Sequence, residues 1–246
     1  MATSTTGGRA DAAATALVRV DVWSDVICPW CYIGKRRLHT ALEQFPYADR
    51  VQVRWRSFQL DPTHGEPLPV PEMLARRTGG SAAQVRAMTQ RVSELAAAEG
   101  LTYALDRAVA VNTFDAHRLN QFASANGLGG PLHERLMRAH LAEAAVLDDP
   151  QTLVRLAVEV GLDRAAAEQV VHSDGYAAEV DADARAARRL GATGVPFFVL
   201  NDRWGISGAQ PVETFASALR TAHAAVLRSP PGSADGGGAA DGRCDR

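Results

Sequence analysis

One short stretch constrains this chain more than any other: Val22-Trp23-Ser24-Asp25-Val26-Ile27-Cys28-Pro29-Trp30-Cys31-Tyr32-Ile33. It reads as a strand running into a tight turn, followed by a helix that begins at the first cysteine. Cys28 then sits where unpaired backbone N–H groups and the positive end of the helix dipole favour an anion. A thiolate is stabilised there, and the thiolate is the form that attacks disulfides. Pro29 suits the first helical position, because its missing N–H would have been unpaired anyway. Cys31 follows three residues on, on the same helical face and close enough to close a two-residue disulfide loop. A strand–CxxC–helix arrangement is the signature of a redox-active dithiol.

Composition narrows the alternatives. A chain of 246 residues is one large domain or two small ones, with ample length for a core. Hydrophobic content of 46% and a net charge of −2 describe an ordinary globular protein, with no bias towards nucleic acid or a membrane surface. Met1 to Ala16 is small and polar, broken by Gly7-Gly8-Arg9 and Asp11, and lacks the apolar run of a secretory signal. No stretch approaches the roughly 18 apolar residues of a membrane span. Three cysteines, with Cys244 stranded near the C-terminus, do not make a disulfide framework, so the expected compartment is the reducing cytoplasm. There a CxxC is more often catalytic or metal-binding than structural. Zinc needs four ligands, usually two such pairs, and no second CxxC or CxxH pair exists. The seven histidines show no metal spacing either; His133 and His140, two turns apart, read as a partly exposed helix face. No metal is expected.

Along the chain, Val18, Val20 and Val22 alternate with Arg19, Asp21 and Trp23, a period-2 strand. The helix after Cys28 turns Ile33, Leu38, Ala41, Leu42 and Phe45 inward and leaves Lys35, Arg36 and Arg37 mostly on the wet side. Val51, Val53 and Trp55 mark a second strand ending near Phe58. The resulting βαβ unit puts the CxxC at the carboxyl end of the first strand, where α/β sheets usually hold their sites. After a proline-rich loop, Asp61 to Pro71, the pattern is helical for about a hundred residues. Ser81 with Gln84 forms a capping box, Asn112 or Thr113 caps the next helix, Pro131 opens another, and Asp149 and Asp163 cap two more. A longer helix from Ala177 ends at Gly191. The sheet resumes at Phe197 to Leu200, Asn201-Asp202 turns a hairpin into Arg203 to Ile206, and Pro211 opens the last helix.

This order, β-α-β, helical insert, β-β-α, is an α/β thioredoxin fold with a large inserted all-helical domain. The predicted units are 17–65 with 191–228 for the thioredoxin-like domain, 66–190 for the insertion, and disordered ends at 1–16 and 229–246. Three motifs, Ser24 to Lys35, Thr193-Gly194-Val195-Pro196-Phe197-Phe198 and Ser207-Gly208-Ala209-Gln210-Pro211, closely resemble the DsbA-like thiol–disulfide oxidoreductases of the FrnE subgroup. The likeness runs from about Leu17 to Leu227. The subgroup is cytosolic. It shares its fold with kappa-class glutathione transferases and 2-hydroxychromene-2-carboxylate isomerase, which generally carry serine where this chain has Cys28.

The resemblance implies that Cys28 is the nucleophile and Cys31 the resolving thiol, with a redox-active disulfide and no bound cofactor. It also implies that Pro196 is a cis-proline facing the dithiol, with the Val195 backbone pairing with an extended substrate. Trp30 and Tyr32 are candidates for an apolar substrate rim, with Trp204 more a core or sheet residue. Gln210 reaches a substrate or caps the last helix, and Pro29 shapes the site. Asp25 accepts a proton from the resolving thiol or shapes the turn; the structural role is favoured. Lys35, Arg36 and Arg37 bind a glutathione carboxylate, help hold the thiolate or form a solvated helix face; the solvated face is favoured. The expected partners are thiol or disulfide substrates, protein or small molecule, with glutathione as a candidate co-substrate, in a monomer or homodimer. The rival reading is a glutathione-dependent isomerase or transferase acting on aromatic or polyketide-like compounds.

Overall fold

A computed structural model describes residues 17–228. The disorder expected of both chain ends, and Cys244, lie outside the described residues. Four strands form the main sheet: β1 (Val18–Ser24), β2 (Val51–Ser57), β5 (Phe197–Leu200) and β6 (Trp204–Ser207), in the order β2-β1-β5-β6. β1 and β2 run parallel, from Val18↔Val51 to Ser24↔Ser57, joined by α1 (Pro29–Glu43). β5 lies antiparallel to β1, pairing Val20 with Leu200 and Trp23 with Phe197, and β6 closes the edge antiparallel to β5. The Asn201-Asp202 turn has φ of 49° and 55°, the left-handed backbone that a two-residue hairpin needs to match strand twist.

The alternation in β1 sorts its side chains. Val18, Val20 and Val22 face one side, where they pack with Leu38 and Ala41 of α1, Phe198 of β5, and Phe215 and Leu219 of α9 (Val212–Arg228). Trp23 faces the other side with Phe197, Val199 and Ala187. Asp21 shares that second face and is held by Arg54 at 2.9 Å and Arg56 at 2.8 Å.

Between β2 and β5 the chain builds seven helices: α2 (Val70–Thr78), α3 (Ala82–Ala98), α4 (Phe114–Ala125), α5 (Gly129–Leu141), α6 (Pro150–Glu159), α7 (Arg164–Val171) and α8 (Ala177–Arg189). The capping expectations meet their geometry in three places. Ser81 and Gln84 form the reciprocal box, Asp149 accepts from the Thr152 amide, and Asp163 from the Ala166 amide, each pair satisfying amides that a helix start leaves open. At α4 it is Asn112 that accepts, from the Phe114 amide at 2.9 Å, while the Thr113 side chain caps nothing. α5 starts at Gly129, two residues before Pro131. Residues of α4 to α7, among them Leu119, Leu132, Leu136, Leu153 and Leu156, form a separate apolar core.

Two features were not visible in the periodicity. A two-residue ribbon, β3 (Leu68–Pro69) against β4 (Val109–Ala110), interrupts the helical insertion; it is too short to produce a pattern. The insertion also closes over α1, so that α1 has two buried faces. Among the described residues no helix is long and apolar enough to cross a membrane.

Candidate active site

β1 ends at Ser24, and Asp25 to Ile27 turn the chain into α1. Cys28 is the N-cap residue, in extended conformation (φ −82°, ψ 115°), with Pro29 following in the first turn. The Cys28 amide donates to the Asp25 carbonyl at 3.1 Å, and the Cys28 carbonyl accepts from the Cys31 amide at 3.1 Å. No side chain caps this end. The positive end of the α1 dipole therefore points at the turn that carries Cys28. Both cysteines are free thiols, with relative exposures of 4% for Cys28 and 2% for Cys31.

Burial pushes the Cys31 thiol well above its ordinary value, reinforced by negative charge on Cys28; the Ser24 hydroxyl and the Asp25 backbone act the other way. Of the two thiols three residues apart, Cys31 is thus one that gives up its proton reluctantly. Such a pair can hold a disulfide in one state and release two electrons in the other.

The loop before β5 meets this helix end. The Val195–Pro196 peptide is cis, and the Val195 carbonyl oxygen lies 3.9 Å from Cys28 Sγ. Gly34, one turn beyond Cys31, lets the segments approach: a Cβ there would lie 3.1 Å from both Pro196 and Phe198 side-chain atoms. The Pro196 carbonyl accepts from the Gly208 amide at 2.8 Å, and Arg37 donates to the Ala209 carbonyl at 2.7 Å, which fixes the β6–α9 loop beside α1. Gln210 is exposed in that loop and donates to the Ser207 carbonyl at 2.8 Å, tying down its own turn.

The sequence-derived rim divides. Trp30 projects from the first turn at 41% exposure. Tyr32 does not reach the surface: it is 3% exposed, stacks near Tyr103 and donates to Glu134 at 2.5 Å, and burial pushes its hydroxyl up to about 12. Trp204 packs with the sheet core. Asp25 is 1% exposed; its carboxylate accepts from the Leu60 amide at 2.8 Å and from the Ile27 amide at 3.5 Å, and lies 3.4 Å from His117 Nε2. The carboxylate thereby ties the turn before Cys28 to the loop after β2.

The basic trio on α1 is not the wet face that its composition suggested. Arg36 pairs with Glu134, Arg37 with Glu99, and Lys35 is enclosed between Glu134, His133 and the Trp55 ring. Glu99, His133 and Glu134 of the insertion and Trp55 of β2 supply these partners, so the charge on α1 is partly withdrawn from solvent and paired with charge from elsewhere. His133 and His140 likewise are 2% and 1% exposed rather than partly exposed. Among the described residues no group of three His, Cys, Asp or Glu side chains is arranged to hold a metal ion.

Sequence reasoning passed over Ser24, Tyr103 and Glu134. Tyr103 donates to the Pro29 carbonyl at 2.7 Å, and burial beside Cys28 drives its hydroxyl far up. Ala96, Leu101, Leu105, Met137 and Leu141 of the insertion pack with Cys28, Cys31 and Ile33, so the helical unit roofs the dithiol. Two surface cavities, of about 610 Å³ beside α6 and α7 and about 370 Å³ beside Lys35 and Trp55, are lined by neither cysteine.

Comparison with known proteins agrees with this geometry. The DSBA-like thioredoxin domain profile matches residues 19–220. A probable DsbA oxidoreductase from Streptomyces coelicolor is 43% identical and superposes with a TM-score of 0.83, over 89% of this chain and 94% of that one. The cytosolic disulfide reductase DsbM from Pseudomonas aeruginosa, solved with GSH, shares the fold at 21% identity and a TM-score of 0.60, over 82% and 98% of the two chains. The Bacillus subtilis protein YwbO, uncharacterized, is 25% identical over 204 residues, 82% of this chain and 96% of that one. The chain belongs to the DsbA-like thioredoxin domain family.

Proposed function

We propose that this protein is a thiol–disulfide oxidoreductase in which Cys28 is the nucleophile and Cys31 the resolving thiol. The observation that carries the reading is the pair itself: two free thiols at the start of α1, one at the N-cap and the other made harder to ionise by burial and by its neighbour's charge. The Cys28 thiolate attacks one sulfur of a substrate disulfide. A Cys28–substrate bond forms, the substrate S–S bond breaks, and the departing thiolate takes a proton from water. Deprotonated Cys31 then attacks Cys28 Sγ, closing the Cys28–Cys31 disulfide and expelling the second substrate thiolate. The substrate gains two electrons and the dithiol loses two.

Exposed Trp30 and the Val195–Pro196 segment form the face that a substrate meets in this reading, while Asp25 and Pro29 shape the turn. Two molecules of glutathione restore the dithiol, as the GSH in the DsbM structure suggests, and the reducing cytoplasm is the compartment that fits. The test is dithiothreitol-driven reduction of a protein disulfide. Wild type accelerates it; Cys28→Ser abolishes the acceleration, and Cys31→Ser stalls as a Cys28–substrate mixed disulfide visible by mass. Acceleration that survives Cys28→Ser overturns the assignment.

A further inference from the structure

The resolving thiol is the buried one, and its proton has to leave before it attacks. A line of polar groups that begins at Ser24, the hydroxyl that acts on this thiol, leads to the surface. The Ser24 hydroxyl, at the end of β1, stabilises the Cys31 thiolate. Ser24 Oγ lies 3.0 Å from His133 Nε2 on α5. On the other side of that ring, His133 Nδ1 lies 3.3 Å from Lys35 Nζ. Lys35 Nζ is 3.1 Å from Glu134 Oε2, and both residues line the 370 Å³ surface cavity. His133 is stacked on Trp55 with ring centroids 4.2 Å apart, and Lys35 sits 4.4 Å above the same Trp55 ring.

We infer that Ser24, His133 and Lys35 form a proton relay that carries the Cys31 proton to the Lys35–Glu134 cavity; the inference rests on the dithiol reading above. With Lys35 neutral and His133 protonated on Nδ1, the transfer balances. Cys31 gives its proton to Ser24 Oγ, and the Ser24 hydroxyl proton passes to His133 Nε2. The Nδ1 proton passes to Lys35 Nζ, leaving a thiolate and an ammonium. The ammonium is received by the Glu134 carboxylate and exchanges with water in the cavity. In the opposite direction the same line returns a proton to Cys31 when the active-site disulfide is opened.

The alternative acceptor, Asp25, has its carboxylate committed to the Leu60 and Ile27 amides and to His117. Burial lowers Lys35 to about 8, so a neutral amine is accessible near neutral pH. Burial also keeps His133 neutral, helped by Lys35 beside it and by His117 on α4. The other charged groups facing the line are Glu134 on α5 and Arg36 on α1, with Cys28 beside Cys31.

A symmetrical chromogenic aryl disulfide separates the two steps. Its first coloured thiolate reports attack by Cys28, and its second reports attack by Cys31. In wild type the second phase accelerates as pH rises through about 8. Lys35→Met slows it on the order of a hundredfold relative to the first phase and removes that rise, in the range of a lost general base. Lys35→Arg keeps the charge but cannot release a proton, and behaves like Lys35→Met. If Lys35→Arg keeps the wild-type second phase, Lys35 acts by charge alone and the relay is wrong. A wild-type proton inventory, which needs no variant, curves if several protons move together; a linear one overturns the relay. Two phases with no sensitivity to Lys35 sink the relay and spare the dithiol, whereas a missing second phase in wild type sinks both.

Discussion

Helix α1 separates two unlike interiors. On its sheet side, Leu38 and Ala41 meet valines of β1 and the rings of Phe198 and Phe215, with no charged side chain in that cluster. On its other side the helical insertion buries Tyr32, Lys35 and His133, and beside them Asp25, His117 and His140. The first interior gains by removing apolar surface from water. The second also buries apolar groups, Ile33 of α1 against Leu101, Met137 and Leu141, and adds charged groups that pair across elements, Lys35 and Arg36 with Glu134 and Arg37 with Glu99. The difference teaches that one face of α1 is held by apolar burial alone, whereas the face that carries the dithiol mixes burial with polar pairing.

Perturbing each side tests that division. The largest effect belongs to the apolar side: Phe198→Ala, at a fully buried ring 4.8 Å from Phe215, lowers unfolding free energy by about 3–5 kcal/mol in denaturant titration. It leaves the ratio of the two thiol-exchange phases unchanged.

The polar side fails instead in acid. Burial depresses His140 to about 4 from 6.5, so the folded state binds fewer protons than the unfolded chain between those values. Its stabilising contribution is full above pH 6.5 and is lost as pH falls towards 4, about 3 kcal/mol in all. His140→Leu flattens the dependence of denaturation midpoint on pH across that window; an unaltered slope would show that the burial does not matter.

Glu134→Gln removes the carboxylate that Tyr32, Lys35 and Arg36 share, at a cost of about 2 kcal/mol. Because Glu134 holds the Lys35 ammonium, the variant also moves the Lys35 titration below about 8, which side-chain NMR reads directly. The smallest effect is local to the insertion: Ser81→Ala breaks the α3 capping box and costs about 1 kcal/mol in thermal unfolding, with thiol exchange untouched.

Much of the fold was legible beforehand because its signals are local. The β1 alternation, the Pro29 helix start, the Asn201-Asp202 turn and the Ser81, Asp149 and Asp163 caps each depend on residues within a few positions of one another. The two-residue ribbon escaped because it has no period to detect. Tyr32, Lys35, His133 and His140 are more buried than the sequence pattern implies, for a common reason. Periodicity finds the face that packs on the sheet, and it leaves every other face reading as solvent.

The sequence by itself determined where the two thiols stand, at the end of a strand and the start of a helix, since backbone geometry over a few residues decides that. Only the tertiary structure decided what surrounds them. The Val195 carbonyl near Cys28 comes from a loop 167 residues away, and His133 against Ser24 from a helix 109 residues away. Such contacts follow from how the insertion docks on α1. That docking rests on burial and polar pairing summed over many residues, which no local pattern encodes.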